Sequence, residues 1–219
     1  MSMLVADRLP AKPENAFILG GGRFGSSAAF KINRRWPSCR IKLIDSQPEL
    51  PAGIPGEHQP GTDAIKFLKD NFRSLSPDSL IVPCIPVHVA FKWVLSHFGF
   101  SIPVPIRLME SLPGAVTGRD GCIYSSLSDF VCPADCTEPE GVCSVTGKKR
   151  KEPLFNTLQK NGLKAYRTIV VRSAQLLPGV GAVTARQLSA LLAEVRKQKG
   201  RYLIGTASRC HGVIHGFVH

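Results

Sequence analysis

A short apolar strand, Ala16-Phe17-Ile18-Leu19, runs straight into Gly20-Gly21-Gly22-Arg23-Phe24-Gly25. Gly20, Gly22 and Gly25 have the spacing G-x-G-x-x-G. A helix-like stretch from Gly25 to Arg35 follows, and Trp36-Pro37 stops it. Ile41 to Asp45 alternates and is rich in branched residues, so it reads as the next strand, with Asp45 lying 20 residues after Gly25. Strand, glycine loop, helix and acidic strand end together form the fingerprint of a dinucleotide cradle. Gly20 permits the tight turn, Gly22 lets the backbone approach a pyrophosphate, and Gly25 lets helix and strand pack closely. The helix N-terminus adds free N–H donors. Gly21, Arg23 and Phe24 complete the binding segment, and Asp45 is placed to accept hydrogen bonds from a ribose diol. Ser46-Gln47-Pro48-Glu49 offers no arginine for a 2′-phosphate, so NAD is preferred over NADP. S-adenosylmethionine, which also uses a glycine loop and an acidic strand end, is the rival ligand.

The rest of the chain keeps an alternating rhythm. Asp63 to Phe72 has helical spacing, 79–83 is a third strand, 87–98 a helix and 102–108 a fourth strand broken by prolines. Residues 113–153 are rich in Gly, Cys, Asp, Ser and Pro. The rhythm resumes with a strand at 168–172, a loop holding Pro178-Gly179-Val180-Gly181, a helix from Ala182 to Gln198 and a strand at 201–205. This predicts an α/β fold, a Rossmann-like, mostly parallel sheet with helices on both faces and a Cys-rich irregular insertion. Residues 1–112 form the dinucleotide-binding portion, 113–160 the insertion, and 161–219 a βαβ portion completing the same sheet. Gly179 and Gly181 read as a second anion loop between strand and helix, for the other end of a dinucleotide.

The segment from Ala16 to Glu49, with its GGGRFG and the following Leu43-Ile44-Asp45, resembles the NAD-binding domains that regulate potassium transport, the RCK or TrkA-N group. Gly61-Thr62-Asp63-Ala64 is similar to a later Gly-Asp-Ala segment of that group. The resemblance covers roughly residues 16–70 and implies nucleotide binding through Gly20, Gly22, Gly25 and Asp45. The insertion and the C-terminal half depart from the group's pattern.

Cys132-Pro-Ala-Asp-Cys136-Thr-Glu-Pro-Glu-Gly-Val-Cys143 puts three thiols within twelve residues of a polar loop. Such a loop can fold around a metal, because thiolates converge on a cation without a core beneath them. Cys210 is the best fourth ligand, with Cys122, Cys84 and His211 behind it. Four thiolates suit zinc or an iron–sulfur cluster. The carboxylates Asp135, Glu138 and Glu140 read as solvated, His88 and His97 as packing or surface residues, and His215 and His219 as part of an exposed tail.

There are 28 Lys and Arg against 16 Asp and Glu, a net charge of +12. The surface therefore attracts anions. Lys148-Lys149-Arg150-Lys151 follows the cysteine loop and suits an acidic redox partner; no nucleic-acid module accompanies it. The first residues lack a secretory pattern, the cysteine count is odd, and no apolar run is long enough to span a membrane, so a cytoplasmic chain with reduced thiols is expected. The function expected is an NAD(P)-binding protein with a Cys-ligated centre, an oxidoreductase component. The alternatives are a nucleotide-sensing module with structural zinc and a methyltransferase-like protein. No catalytic base or nucleophile is assigned.

Overall fold

The computed structural model describes residues 2–6, 8–118 and 120–219. The chain opens with β1 (Ser2–Val5), β2 (Asn15–Leu19), α1 (Arg23–Arg35), β3 (Arg40–Ile44), β4 (Glu57–Gln59) and α2 (Ala64–Asn71). It continues through β5 (Leu80–Pro83), α3 (Val89–Leu95), β6 (Phe100–Ile102), α4 (Ile106–Glu110), β7 (Val116–Thr117) and β8 (Ile123–Ser126). The last third holds α5 (Leu154–Lys160), β9 (Arg167–Arg172), β10 (Ala174–Leu177), β11 (Val180–Thr184), α6 (Ala185–Arg196), β12 (Arg201–Ala207) and β13 (His211–Val218).

The fold is α/β, built on two sheets. The first has the order β10-β11-β5-β2-β3-β4. Its four strands β4, β3, β2 and β5 are mutually parallel, and β11 and β10 are added antiparallel. The parallel part runs in the order β4-β3-β2-β5, with the first strand of this unit, β2, inside the sheet. The second sheet runs β1-β9-β12-β13-β8-β7, with β6 also paired to β13. Here β1, β9 and β12 are parallel, and the strands beyond β12 are antiparallel.

Alternation along the strands builds the layers. Ala16 and Ile18 of β2 face the cluster that holds Ala28, Ala29 and Ile32 of α1. Leu19 faces the opposite way, into the central cluster with Phe67 and Leu68 of α2, Trp93 and Val94 of α3, and Leu188, Leu191 and Val195 of α6. Ile169, Val171, Tyr202 and Ile204 of the second sheet close that cluster from its far side. Val170 and Leu203 point outward onto Leu154, Phe155 and Leu158 of α5 and Leu108 of α4. The order is therefore helix, sheet, three helices, sheet, helices. Gln187 ties the layers together: with Thr184 it forms a capping box on α6, and its Nε2 donates to Val5 O at 3.1 Å and Arg172 O at 2.8 Å.

Several expectations need correction. Residues 161–219 do not complete one sheet: β10 and β11 join the first, while β9, β12 and β13 form the second with β1 from the other end of the chain. Strands β9 and β12 are apolar on both faces and need a helical layer on each, which a second sheet provides and a run of β/α alternation does not reveal. The insertion is irregular over only part of 113–160, because β7, β8 and α5 lie within it and Cys122 and Ile123 are buried. The strand expected at 102–108 ends at Ile102, and Pro105 becomes the N-cap of α4. His215 is no tail residue: β13 carries it into the interior, 2% exposed. Among the described residues no helix is long and apolar enough to cross a membrane.

Candidate functional site

The glycine run forms a tight turn between β2 and α1. Gly20 has a φ of 102° and a Cβ there would lie 2.8 Å from the carbonyl oxygen of Cys84. A Cβ on Gly25 would stand 1.8 Å from the carbonyl oxygen of Gly20, so α1 can pack this close only with glycine in its first turn. Gly22, the N-cap of α1, has open space above it. Each glycine thus has the steric role that a phosphate cradle asks of it. The helix has no side-chain cap and no acidic residue in its first turn, which leaves its leading N–H groups to a ligand or water. Arg23 lies over the Phe24 ring at 5.0 Å, and Phe24 is 62% exposed.

Asp45 follows β3 beside this turn. Its Oδ2 accepts from the Gly21 N–H at 2.5 Å and its Oδ1 from the Gln47 N–H at 2.8 Å. A carboxylate accepts about four hydrogen bonds, so capacity for a diol remains. Helices α1 and α3 leave β2 and β5 on opposite faces, which makes the gap between these strands a topological switch point. A cavity of about 360 Å³ opens there, lined by Phe24, Ala28, Cys84, Ile85 and Gly179–Gly181 among others. Burial pushes the Cys84 thiol up to about 11.

Gly179 and Gly181 have a different role from the one their sequence suggests. They lie at and just after the turn of the β10–β11 hairpin, and no helix N-terminus follows them directly. The first turn of α6 begins at Ala185, where Thr184 and Gln187 already cap it. They do not form a second anion loop of the strand-to-helix kind. The hairpin is instead a wall: its glycines line the switch-point cavity on one side and a cysteine-lined cleft on the other.

That cleft, about 230 Å³, gathers Cys132, Cys136, Cys210, His211, Glu138 and Arg150. The cysteine loop is pinned to the hairpin: the Gly179 N–H donates to Cys136 O at 3.2 Å and Gln175 Nε2 to the same oxygen at 2.6 Å. Lys31 of α1 donates to Pro178 O at 2.7 Å and Ala134 O at 3.4 Å, so the loop also touches the helix of the glycine turn. His211 Nε2 lies 3.4 Å from Cys132 Sγ. The Ser126 hydroxyl donates to Ser128 O and therefore accepts from His211 Nδ1, at 3.1 Å, which turns the Nε2 lone pair toward the thiol.

Cys143 does not line the cleft. It sits in a tight turn beside a larger cavity of about 590 Å³ that Arg150 also borders. A hydrogen bond from the Thr146 side chain, then the N–H groups of Thr146 and Val145, lower its thiol to about 7. Cys210 is pushed up to about 12, by burial first and by Glu138 next. Glu138 itself is no solvated carboxylate. It has a left-handed φ of 46°, and it accepts from the Ser208 hydroxyl and from the Cys210 N–H. Arg150 Nη1 is buried and lacks a hydrogen-bond partner. Lys148, Lys149 and Lys151 are exposed. All seven cysteines are free thiols.

Two histidines that line neither the cleft nor the switch-point cavity form a buried pair. His88, the N-cap of α3, and His215 meet through their Nδ1 atoms at 2.9 Å, 127 positions apart in the chain. Neither lies in a motif, and the packing of α3 on the second sheet, where His88 also reaches Thr206 of β12, brings them together.

Residues 89–219 match the AF_1314_C family, described as "Uncharacterized protein, C-terminal domain". The chain belongs to this family. An AF_1314_C-type match spanning 89–219 contains the whole cysteine cleft and β13, and the glycine turn precedes it. A relative from Archaeoglobus fulgidus, described as "Uncharacterized protein", is 30% identical over 214 residues, covering 90% of this chain and 96% of its own. No solved structure matches.

Proposed function

We propose that this chain is a nucleotide-binding protein of Rossmann type that takes NAD by its ADP half at Gly20–Gly25, and that the adjoining cleft carries a redox centre. The observation that carries this reading is the steric fit of the glycine turn: Gly20 in a left-handed conformation, Gly25 against the Gly20 carbonyl, and open space above Gly22 beside an uncapped helix. The parallel order β4-β3-β2-β5 supports a seat for the ADP moiety at the turn, with the nicotinamide end toward the switch-point cavity. A thermal-shift series with NADH, NADPH and S-adenosylmethionine tests it. NADH at a hundredfold excess over its dissociation constant stabilises by about 2.7 kcal/mol, roughly 5–10 °C in a chain of this size. A shift with S-adenosylmethionine alone supports the methyltransferase-like alternative, and no shift with any of the three overturns the nucleotide reading.

For the cleft, Cys132, Cys136 and Cys210 with His211 offer donors suited to zinc or an iron–sulfur cluster. Ligands on one zinc, at about 2.3 Å from it, stand about 3.8 Å apart. His211 Nε2 and Cys132 Sγ, 3.4 Å apart, meet that spacing, and a cluster is the alternative tested first. The orphaned Arg150 N–H borders the cleft and suits an anionic one. The exposed lysines at 148, 149 and 151 suit an acidic partner that exchanges electrons with it. Anaerobic purification should give brown protein, and Cys136→Ser should lose colour and iron together. Colourless wild-type protein with one zinc in the cleft would make this a nucleotide-sensing module instead.

A further inference from the structure

We infer that the chain holds a second, separate metal site, for zinc or a similar divalent ion, built from Asp120, Cys122 and His215, with His88 as its outer-shell support. Among the described residues, these three have ligand atoms that all lie within 4.8 Å of one another. They come from a tight turn and from the strand that faces it. Gly118 N–H donates to Cys122 O at 2.8 Å and Gly121 N–H to Gly118 O at 3.2 Å, which curls the backbone round Asp120. Strands β8 and β13 pair Ile123 with Ile214. Continuing that antiparallel register by one residue sets Cys122 opposite His215, on a shared face of the sheet. A Cβ at position 118 would stand 2.3 Å from Cys122 Sγ, so only glycine lets the turn close over the thiol.

The donor set has the chemistry of a zinc site. One imidazole, one thiolate and one carboxylate are each ordinary zinc ligands, and three protein ligands with one open position is the pattern of a reactive site. Their charges balance a divalent ion. Cys122 is fully buried and His215 nearly so, while the Asp120 side chain is 48% exposed, which leaves a solvent-facing side for entry and for a fourth ligand.

The hydrogen bonds behind His215 supply the second argument. His215 Nε2 lies 2.9 Å from Asp120 Oδ2, and its Nδ1 lies 2.9 Å from His88 Nδ1. His88 Nε2 is in turn 2.8 Å from Thr206 Oγ1. The Phe91 ring stacks on His215 at 4.1 Å and fixes its plane. Without an ion, His215 Nε2–H donates to Asp120, His88 Nδ1–H donates to His215, and the Thr206 hydroxyl donates to His88. With an ion on His215 Nε2, both imidazoles change tautomer. His215 Nδ1–H donates to His88, and His88 Nε2–H donates to Thr206, whose hydroxyl turns to accept. Each ring keeps one proton, every buried nitrogen keeps a partner, and the proton released to solvent is that of the Cys122 thiol. A metal-bound imidazole held by a second polar group through its other nitrogen is the usual support of such a site. His88 therefore acts as a positioning residue.

This site is independent of the cysteine cleft, and its test is designed to remain so. The full-length Cys132→Ser/Cys136→Ser chain is stripped with a chelator and titrated with cobalt(II), whose spectrum reports thiolate ligation. One equivalent is expected to bind with a charge-transfer band from a single thiolate. Adding Cys122→Ser should abolish that band. Adding Asp120→Asn, a change at a half-exposed side chain, should weaken binding at least tenfold with circular dichroism unchanged. His88→Ala should weaken it about 10- to 100-fold while the band stays, in contrast to Cys122→Ser, which removes the band itself. Absence of cobalt binding in the starting variant, or a band and affinity indifferent to Cys122→Ser and Asp120→Asn, would overturn the inference.

Discussion

Gly25→Val should unfold the chain at a temperature roughly 6–12 °C lower than wild type and abolish nucleotide binding. The added side chain begins 1.8 Å from the Gly20 carbonyl oxygen, a backbone atom that cannot rotate aside. Helix α1 must lift from β2, and overpacking of this kind costs about 3 kcal/mol. The same lift moves the leading N–H groups of α1 away from Gly20–Gly22. Gly22→Ala separates the two effects. Position 22 has a φ of −66° and no atom near its Cβ, so stability should stay within about 0.5 kcal/mol of wild type. The methyl group nevertheless stands where a phosphate would approach, and NADH binding should weaken at least tenfold. Calorimetry with both variants checks the pair. Unchanged affinity in Gly22→Ala would remove the phosphate from that turn.

Trp93→Ala should carry the largest stability loss of any single change in the central layer. Trp93 is 1% exposed, it packs against Phe72 at 4.4 Å and His97 at 4.2 Å, and its Nε1 donates to Leu188 O at 3.2 Å. That contact joins α3 to α6, the helices that both sheets press upon. Removing a large buried aromatic costs about 3–5 kcal/mol, roughly a 6–20 °C fall in the unfolding midpoint. Trp93→Phe should recover more than half of it. Urea unfolding, followed by circular dichroism, measures both.

The parts legible in the sequence are those whose signals are local. β2, the glycine turn, α1 and Asp45 follow one another in thirty residues, and each carries its own steric or capping reason. The cysteine cleft was half legible. The spacing of Cys132 and Cys136 advertised a thiol loop and Cys210 was the fourth candidate, but Cys143 turned away into its own hydrogen-bonded turn and His211 took the nearer place. The second sheet was not legible, because the pairing of β1 with β9 joins residues far apart in the chain, and no residue in either strand names its neighbour. Pro178-Gly179 serves equally well in a hairpin or before a helix, and the choice was made by β11 pairing with β5. His215, read as part of an exposed tail, was misplaced for the same reason, whereas His88 is the packing residue its position suggested. An isolated histidine has no pattern, and only the packing of α3 on the second sheet gives these two company.

The β1–β9 pairing also has a bearing on biosynthesis. β1 leaves the ribosome well before the strand it docks against, Arg167–Arg172, because the paired residues Ser2 and Thr168 lie 166 positions apart. At about 5–20 residues per second, β1 waits roughly ten to thirty seconds with an apolar edge uncovered. The nascent polypeptide must stay soluble through that interval, and β1 is a segment a chaperone would shield until β9 arrives.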